Sequence, residues 1–164
     1  MQETHSKENH FLCCNLKKKY KSVGAIIFYK GKYLIQKRDN KKNIFFPNFW
    51  GVFGGNVRNN ENTKKAILRE LKEELNLSFQ EPIKKLSLKI SSKNFKPVRD
   101  RIFYICEPKI IRKKIKIYEG KDFAFLSFHS LKKLNIVPWD FSAISYHYYD
   151  TVKNLQILPT KSKN

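Results

Sequence analysis

The chain has 164 residues, 41% hydrophobic and 14% aromatic, with a formal net charge of +20. That length and composition fit one globular domain with a real core. They exclude a repeat architecture, and no apolar run approaches the roughly 20 residues that would span a bilayer. Three cysteines, Cys13, Cys14 and Cys106, are too few and too badly spaced for a disulfide framework. The N-terminal MQETHSKENHFLCCNL lacks the apolar centre of a signal peptide, which points to the cytoplasm. The charge itself has two readings. One is a polyanionic partner such as nucleic acid. The other is a composition rich in Lys, Asn and Ile, with attraction for a small anionic substrate. Arginine, the usual residue for phosphate and base contacts, is sparse, which favours the second.

Residues 1–19 read as a flexible arm, and Cys13 and Cys14 lack a metal-site neighbour. Tyr20 to Tyr29 is β-branched and aromatic, hence a buried strand. Lys30-Gly31-Lys32 is a turn, and Tyr33 to Arg38 completes a hairpin. Arg38, at the strand end, is either a solvated charge or a phosphate contact at the mouth of a site. After a polar loop, Ile44 to Phe53 is unusually aromatic and is broken at Pro47-Asn48. Phe45, Phe46, Phe49, Trp50 and Phe53 are expected to form core and wall, with room for a planar base beside them.

The acidic residues Glu61, Glu70, Glu73 and Glu74 then crowd into the stretch Gly54 to Leu77. Asn62 or Thr63 is a good N-cap. From Lys64 the spacing predicts a helix with Ile67, Leu68, Leu71 and Leu75 on its apolar side. Glu70, Glu73 and Glu74 should share the opposite edge, and Asn76 should cap the helix in the left-handed conformation. Three carboxylates on one edge repel unless a hard cation such as Mg²⁺ compensates them. On the helix alone, a solvated Glu/Lys face is the plainer reading.

Further on, Ile83 to Ile90 is strand-like, and so is Phe95 to Cys106, with a break at Pro97. The latter carries the cluster Arg99, Asp100 and Arg101. Ile110 to Tyr118 alternates Ile with basic residues as a half-exposed strand would, and Glu119 to Asp122 is a turn. Phe123 to Phe128 is a short strand and His129 to Leu134 a short helix. Pro138 to about Leu155 is a C-terminal helix with Phe141, Ile144, Tyr148 and Val152 in helical register. A basic tail begins at Pro159. The pattern predicts an α+β or α-β-α sandwich with a mixed sheet, a central helix and a C-terminal helix, its domain spanning 20–158 and its tail 159–164.

The stretch around the central helix resembles the Nudix box, G-x5-E-x7-R-E-U-x-E-E-x-G-U with U aliphatic. Gly55, Glu61, Arg69, Glu70, Leu71, Glu73, Glu74 and Leu77 fall in register. Asn76 replaces the second Gly, a change that removes no ligand. Register at fixed spacing over so many positions is a specific signal. The resemblance implies a Mg²⁺-dependent hydrolase, with Mn²⁺ as a substitute, that cleaves a nucleoside diphosphate linked to another moiety. The substrate would be a nucleoside triphosphate, a nucleotide sugar or similar. It implies that Glu70, Glu73 and Glu74 supply metal ligands and the general base, and that the Gly54 carbonyl is a further ligand. Arg69 and Glu61 would hold loop and helix in geometry. It also implies, on single residues, a metal-binding role for Glu119 and substrate contacts for Arg38 and Asp140. For Glu119 a plain turn residue, and for Asp140 a helix N-terminal charge, are the structural alternatives. Family members are often homodimers. The functional alternatives are an RNA-binding protein of this fold without catalysis, or a hydrolase of RNA caps and 5′ ends.

Overall fold

A computed structural model describes residues 20–92, 95–109 and 115–153. The expected arm, with Cys13 and Cys14, and the basic tail lie outside these residues. No helix among them is long and apolar enough to cross a membrane.

Strand β1 (Tyr20–Tyr29) and β2 (Lys32–Lys37) form the expected hairpin, with Ile27 opposite Leu34. β3 is only Trp50–Gly51 and pairs with β2. β4 (Ile83–Ser92) and β5 (Phe95–Ile105) are a long antiparallel pair, and β5 runs parallel to β1. The sheet order is β3-β2-β1-β5-β4, and β6 (Asp122–Leu126) also pairs with β2. The sheet is therefore mixed, as expected. Pro97 does not end β5. The ladder slips there instead, with Ile90 opposite Arg99 but Ser92 opposite Phe95, which accommodates a residue that cannot donate a ladder bond.

Alternation along β1 divides the core. Val23, Ala25 and Ile27 face the central helix α1 (Thr63–Glu74), with Ile67, Leu71 and Phe53. Ile26 and Phe103 face the other way, onto helix α2 (Phe128–Leu131) and helix α3 (Pro138–His147), through Leu131, Ala143 and Ile144. Two helical layers thus cover the two faces of one sheet. α2 begins one residue earlier than the spacing suggests and spans one turn. α3 passes into a π-helical turn, Tyr148–Val152, where Val152 is exposed rather than packed. Of the expected strand Ile110 to Tyr118, residues 110–114 lie outside the described part. Residues 115–118 contribute only the single bridge between Ile117 and Leu75.

The central helix departs from its expected facing. Asn62 caps it, its Oδ1 accepting the Lys65 N–H at 2.8 Å. Leu68 is 40% exposed, whereas Glu74 is 5% exposed and lies with Ala66, Ile67 and Leu71 on the buried side. Glu74 is one helical period from Leu71 and two from Ile67, so it shares their face rather than Glu73's. The helix stops because Leu75 turns extended to bridge Ile117. Asn76 is not among the residues with positive φ, so it is no left-handed cap. Its backbone N–H donates to the Lys116 carbonyl, and its Oδ1 accepts the Lys116 N–H at 2.8 Å.

Candidate active site

The loop ahead of α1 is laid along β1 by backbone bonds. Ala25 N–H donates to the Phe53 carbonyl, Val23 N–H to Gly55, and Val57 N–H to Lys21. Gly54 adopts φ +129°, and a side chain there would overlap the Val23 carbonyl, so only glycine fits. At Gly55 a Cβ would stand 2.6 Å from Glu70 Oε1. Glycine lets the Glu70 carboxylate rest directly on the backbone.

Arg69 organises the acids around this loop. Its Nε and Nη2 grip both oxygens of Glu61, at 2.8 and 2.9 Å. Its Nη1 reaches Glu70 at 2.7 Å and Glu73 at 3.0 Å, and Nη2 also donates to the Asn56 carbonyl. Bidentate pairing of this kind fixes orientation as well as energy. Glu61, which also accepts the Arg58 N–H, is held down at a pKa of about 2, chiefly by its hydrogen bond with Arg69. Arg69 is correspondingly pushed up.

The three helix glutamates are not equivalent. Glu73 turns outward to Arg58 and Arg69. Glu74 points inward, with its Oε2 accepting the Gly54 N–H at 2.8 Å and its Oε1 near Gln36 Nε2 at 3.4 Å. Burial first, then the Glu70 and Glu119 carboxylates, push the Glu74 pKa up to about 8; the Gly54 and Gln36 hydrogen bonds pull the other way. Among the described residues Glu74 enters no ion pair, and no three acidic, His or Cys side chains already converge as a metal group. The hard oxygens that do come together are the Glu74 and Glu70 carboxylates, with the Gly54 N–H on Glu74 and the Gly55 backbone against Glu70. Glu119 is exposed but within electrostatic reach, because the Tyr118 N–H is tied to the Glu74 carbonyl. This set fits a hard divalent cation, which would offset the burial and the carboxylate repulsion that together raise Glu74.

Gly54 and Gly55 also line a cleft of about 340 Å³. Arg38, Arg99, Arg101, Trp139 and Asp140 line its remainder. Arg38 is anchored by its Nε to the Phe45 carbonyl at 3.0 Å. Asp140 sits in the first turn of α3, buried rather than solvated. It is 1% exposed, with Oδ1 accepting from Arg101 Nε at 3.0 Å and Oδ2 from the Val52 N–H at 3.1 Å. Burial pushes its pKa up, against the pull of Arg101. Arg99, noted in the sequence only as part of a charge cluster, stands over the Tyr20 and Phe45 rings at 5.4 and 5.0 Å. Gln36 and Arg58, which touch Glu74 and Glu73, had no sequence signal. The aromatic stretch divides: Phe53 is core, Phe46 packs on Phe49 and Trp139, and Phe45 reaches the cleft. Cys106 is buried, its thiol pushed up to about 12, and is chemically quiet.

No curated protein matches the sequence. Solved structures do match the fold. A MutT NUDIX hydrolase from Burkholderia pseudomallei superposes with TM-score 0.66 at 17% identity, covering 79% of this chain and 98% of that one. The dihydroneopterin triphosphate pyrophosphohydrolase of E. coli gives 0.63 at 18%, covering 80% and 96%. A bifunctional NMN adenylyltransferase/ADP ribose pyrophosphatase from Francisella tularensis, complexed with AMP and a Mn ion, gives 0.67 at 18%, covering 85% of this chain but 44% of that one. At these identities the likeness is one of fold. The NUDIX domain family model, however, matches residues 18–152, most of the sequence. With the motif residues assembled around Arg69 as described, the chain belongs to the Nudix hydrolase family.

Proposed function

We propose that this protein is a Mg²⁺- or Mn²⁺-dependent pyrophosphohydrolase that splits a nucleoside diphosphate linked to another moiety. The observation that carries the reading is Glu74, a buried carboxylate without an ion-pair partner among the described residues, set beside Glu70 and the Gly54 backbone.

Glu70, Glu74 and the Gly54 carbonyl would hold the cation, with Glu73 and Glu119 as nearby further carboxylates. When bound, the cation neutralises the diphosphate and makes an attacking water more acidic. A carboxylate of the Glu70–Glu74 group, or Glu119, takes the water's proton as it attacks phosphorus. Arg38 contacts a phosphoryl oxygen and offsets charge developing there. Arg69 and Glu61 do not touch the reacting atoms and act by holding Glu70 and Glu73. The hydrolytic step gives two phosphorylated products, water supplying oxygen to one and a proton to the other. Asp140, which lines the cleft, orients Arg101 toward substrate through its bond to Arg101 Nε.

The test is a panel of nucleoside triphosphates, nucleotide sugars and capped RNA, scored for Mg²⁺-dependent product. Product that disappears in Glu74→Gln is expected. No product from any member would defeat the reading. RNA binding without hydrolysis, weakening steeply with salt, would instead support a non-catalytic role.

A further inference from the structure

The carboxylates and Arg38 serve the scissile diphosphate, but the cleft beside them carries more positive charge than that step uses. Three guanidiniums, those of Arg38, Arg99 and Arg101, line it against a single carboxylate, Asp140. Arg101 is paired to Asp140. Arg38 and Arg99 enter no ion pair among the described residues. A ligand that fills the cleft strips water from these groups, and burying a charge without an opposite one is costly.

The way each arginine is held points to what it awaits. Arg38 and Arg101 are each tethered through Nε, to the Phe45 carbonyl and to Asp140, which leaves the paired terminal nitrogens of each out of these bonds. Arg99 is positioned by the faces of Tyr20 and Phe45, contacts that consume none of its donors. Planar, pre-oriented donors of this kind match phosphate oxygens. The two rings at Arg99 are 42% and 44% exposed, so the stack stands at the cleft's rim.

Resting on the pyrophosphohydrolase reading, we infer that the moiety occupying this cleft carries a phosphate of its own, outside the diphosphate that is cleaved, and that Arg99 together with Arg101 recognises it. A neutral sugar or alcohol would leave the Arg99 guanidinium without an opposite charge and the terminal nitrogens of Arg101 unused. The extra phosphate could be a phosphomonoester on a small molecule or the first phosphodiester of an RNA 5′ end. The chemistry at the arginines is shared.

Two matched substrate pairs separate these sources. Dephospho-coenzyme A and coenzyme A differ by one phosphomonoester. ATP and the 5′-triphosphorylated adenosine dinucleotide differ by a phosphodiester and its nucleoside. In Mg²⁺ the phosphate-bearing member of one pair should be turned over with a kcat/KM higher by about tenfold or more, the worth of one charge-assisted hydrogen bond. Arg99→Gln should bring that ratio toward one. The pair that responds identifies the source. Turnover with equal kcat/KM within both pairs overturns this inference and leaves the pyrophosphohydrolase reading standing. If none of these four is turned over while the wider panel gives product, the cleft is read by binding, through tryptophan fluorescence. Adenosine 3′,5′-bisphosphate binding about tenfold more tightly than AMP, with the difference lost in Arg99→Gln, still supports the inference. Equal affinities overturn it.

Discussion

The two halves of the site are built on opposite plans. On the carboxylate side, Arg69 alone makes bonds to Glu61, Glu70, Glu73 and the Asn56 carbonyl, and the Gly54–Gly55 backbone closes on Glu70 and Glu74. Every group there is held by several others, over about 20 residues of sequence. On the arginine side, each cation hangs from one or two anchors, and the anchors come from β1, the loop after β2, β5 and the start of α3. The first plan suits chemistry that tolerates little displacement. The second suits recognition, which can change by altering one arginine without disturbing the machinery beside it.

The largest effect should come from Glu74→Gln. It removes a charge from the core of the first half and should lower Mg²⁺-dependent turnover by about 10³-fold or more, since one positioned carboxylate contributes on that scale. Thermal unfolding of the metal-free variant should be no lower than that of the parent, because the buried charge was raised to a pKa of about 8. The sign follows from the raised value. The folded state holds the proton more tightly than the unfolded state, so metal-free stability falls as pH rises from about 4.5 through about 8. Added Mg²⁺ should therefore raise Tm more at the alkaline end, and should do so less in Glu74→Gln. A Mg²⁺ effect independent of pH would break the assignment of Glu74 to the cation.

The second effect probes the support of the arginine half. α3 carries Asp140 at one end and the buried His147 at the other, where its Nδ1 lies 2.8 Å from the Tyr33 hydroxyl. Burial, aided by Lys85, lowers His147 from 6.5 to about 4. The unfolded chain therefore binds the proton more readily, and stability present above about pH 6.5 is lost as pH falls through about 4. The loss should reach about 3 kcal/mol, by linkage at about 1.4 kcal/mol per pKa unit. Denaturant titrations across that range check it, and a His147→Gln variant should flatten the profile.

Gly55→Ala comes next. The added methyl collides with the Glu70 carboxylate, and a displacement near 1 Å should lower kcat by about 10²-fold with little change in KM. An unchanged kcat would mean the tight half is looser than its bonds suggest. The smallest effect is Asn76→Gly. A left-handed cap would gain from glycine; a residue bonded to Lys116 through its side chain should instead lose about 1 kcal/mol in chemical denaturation.

Much of the first half was legible before the fold. Glycine, glutamate and arginine spacing in one continuous stretch sufficed for the family and the helix, and its N-cap was narrowed to Asn62 or Thr63, because those features are local. The facing of that helix was not legible. Leu68 looked like core and Glu74 like surface, and only the position of the sheet beneath Ile67 and Leu71 reverses them. Asn76 was misread for the same reason, since its partner Lys116 is 40 residues distant. The arginine half was barely legible at all. Arg99 and Arg101 read as a charge cluster on a strand, and Asp140 as a substrate contact or a helix N-terminal charge.

Sequence by itself thus determined the chemistry available: a loop-helix motif of carboxylates, the hairpin before it, and a mixed sheet between helices. Periodicity and cap residues act over a few positions, and the chain encodes them directly. Tertiary structure decided which carboxylate is buried, which arginines share a cleft, and that Asp140 is buried against Arg101. Those outcomes depend on strand order and on the parallel pairing of β1 with β5, which bring Tyr20 beside Arg99 across nearly 80 residues of chain. No local pattern carries that information, because it exists only once the sheet has closed.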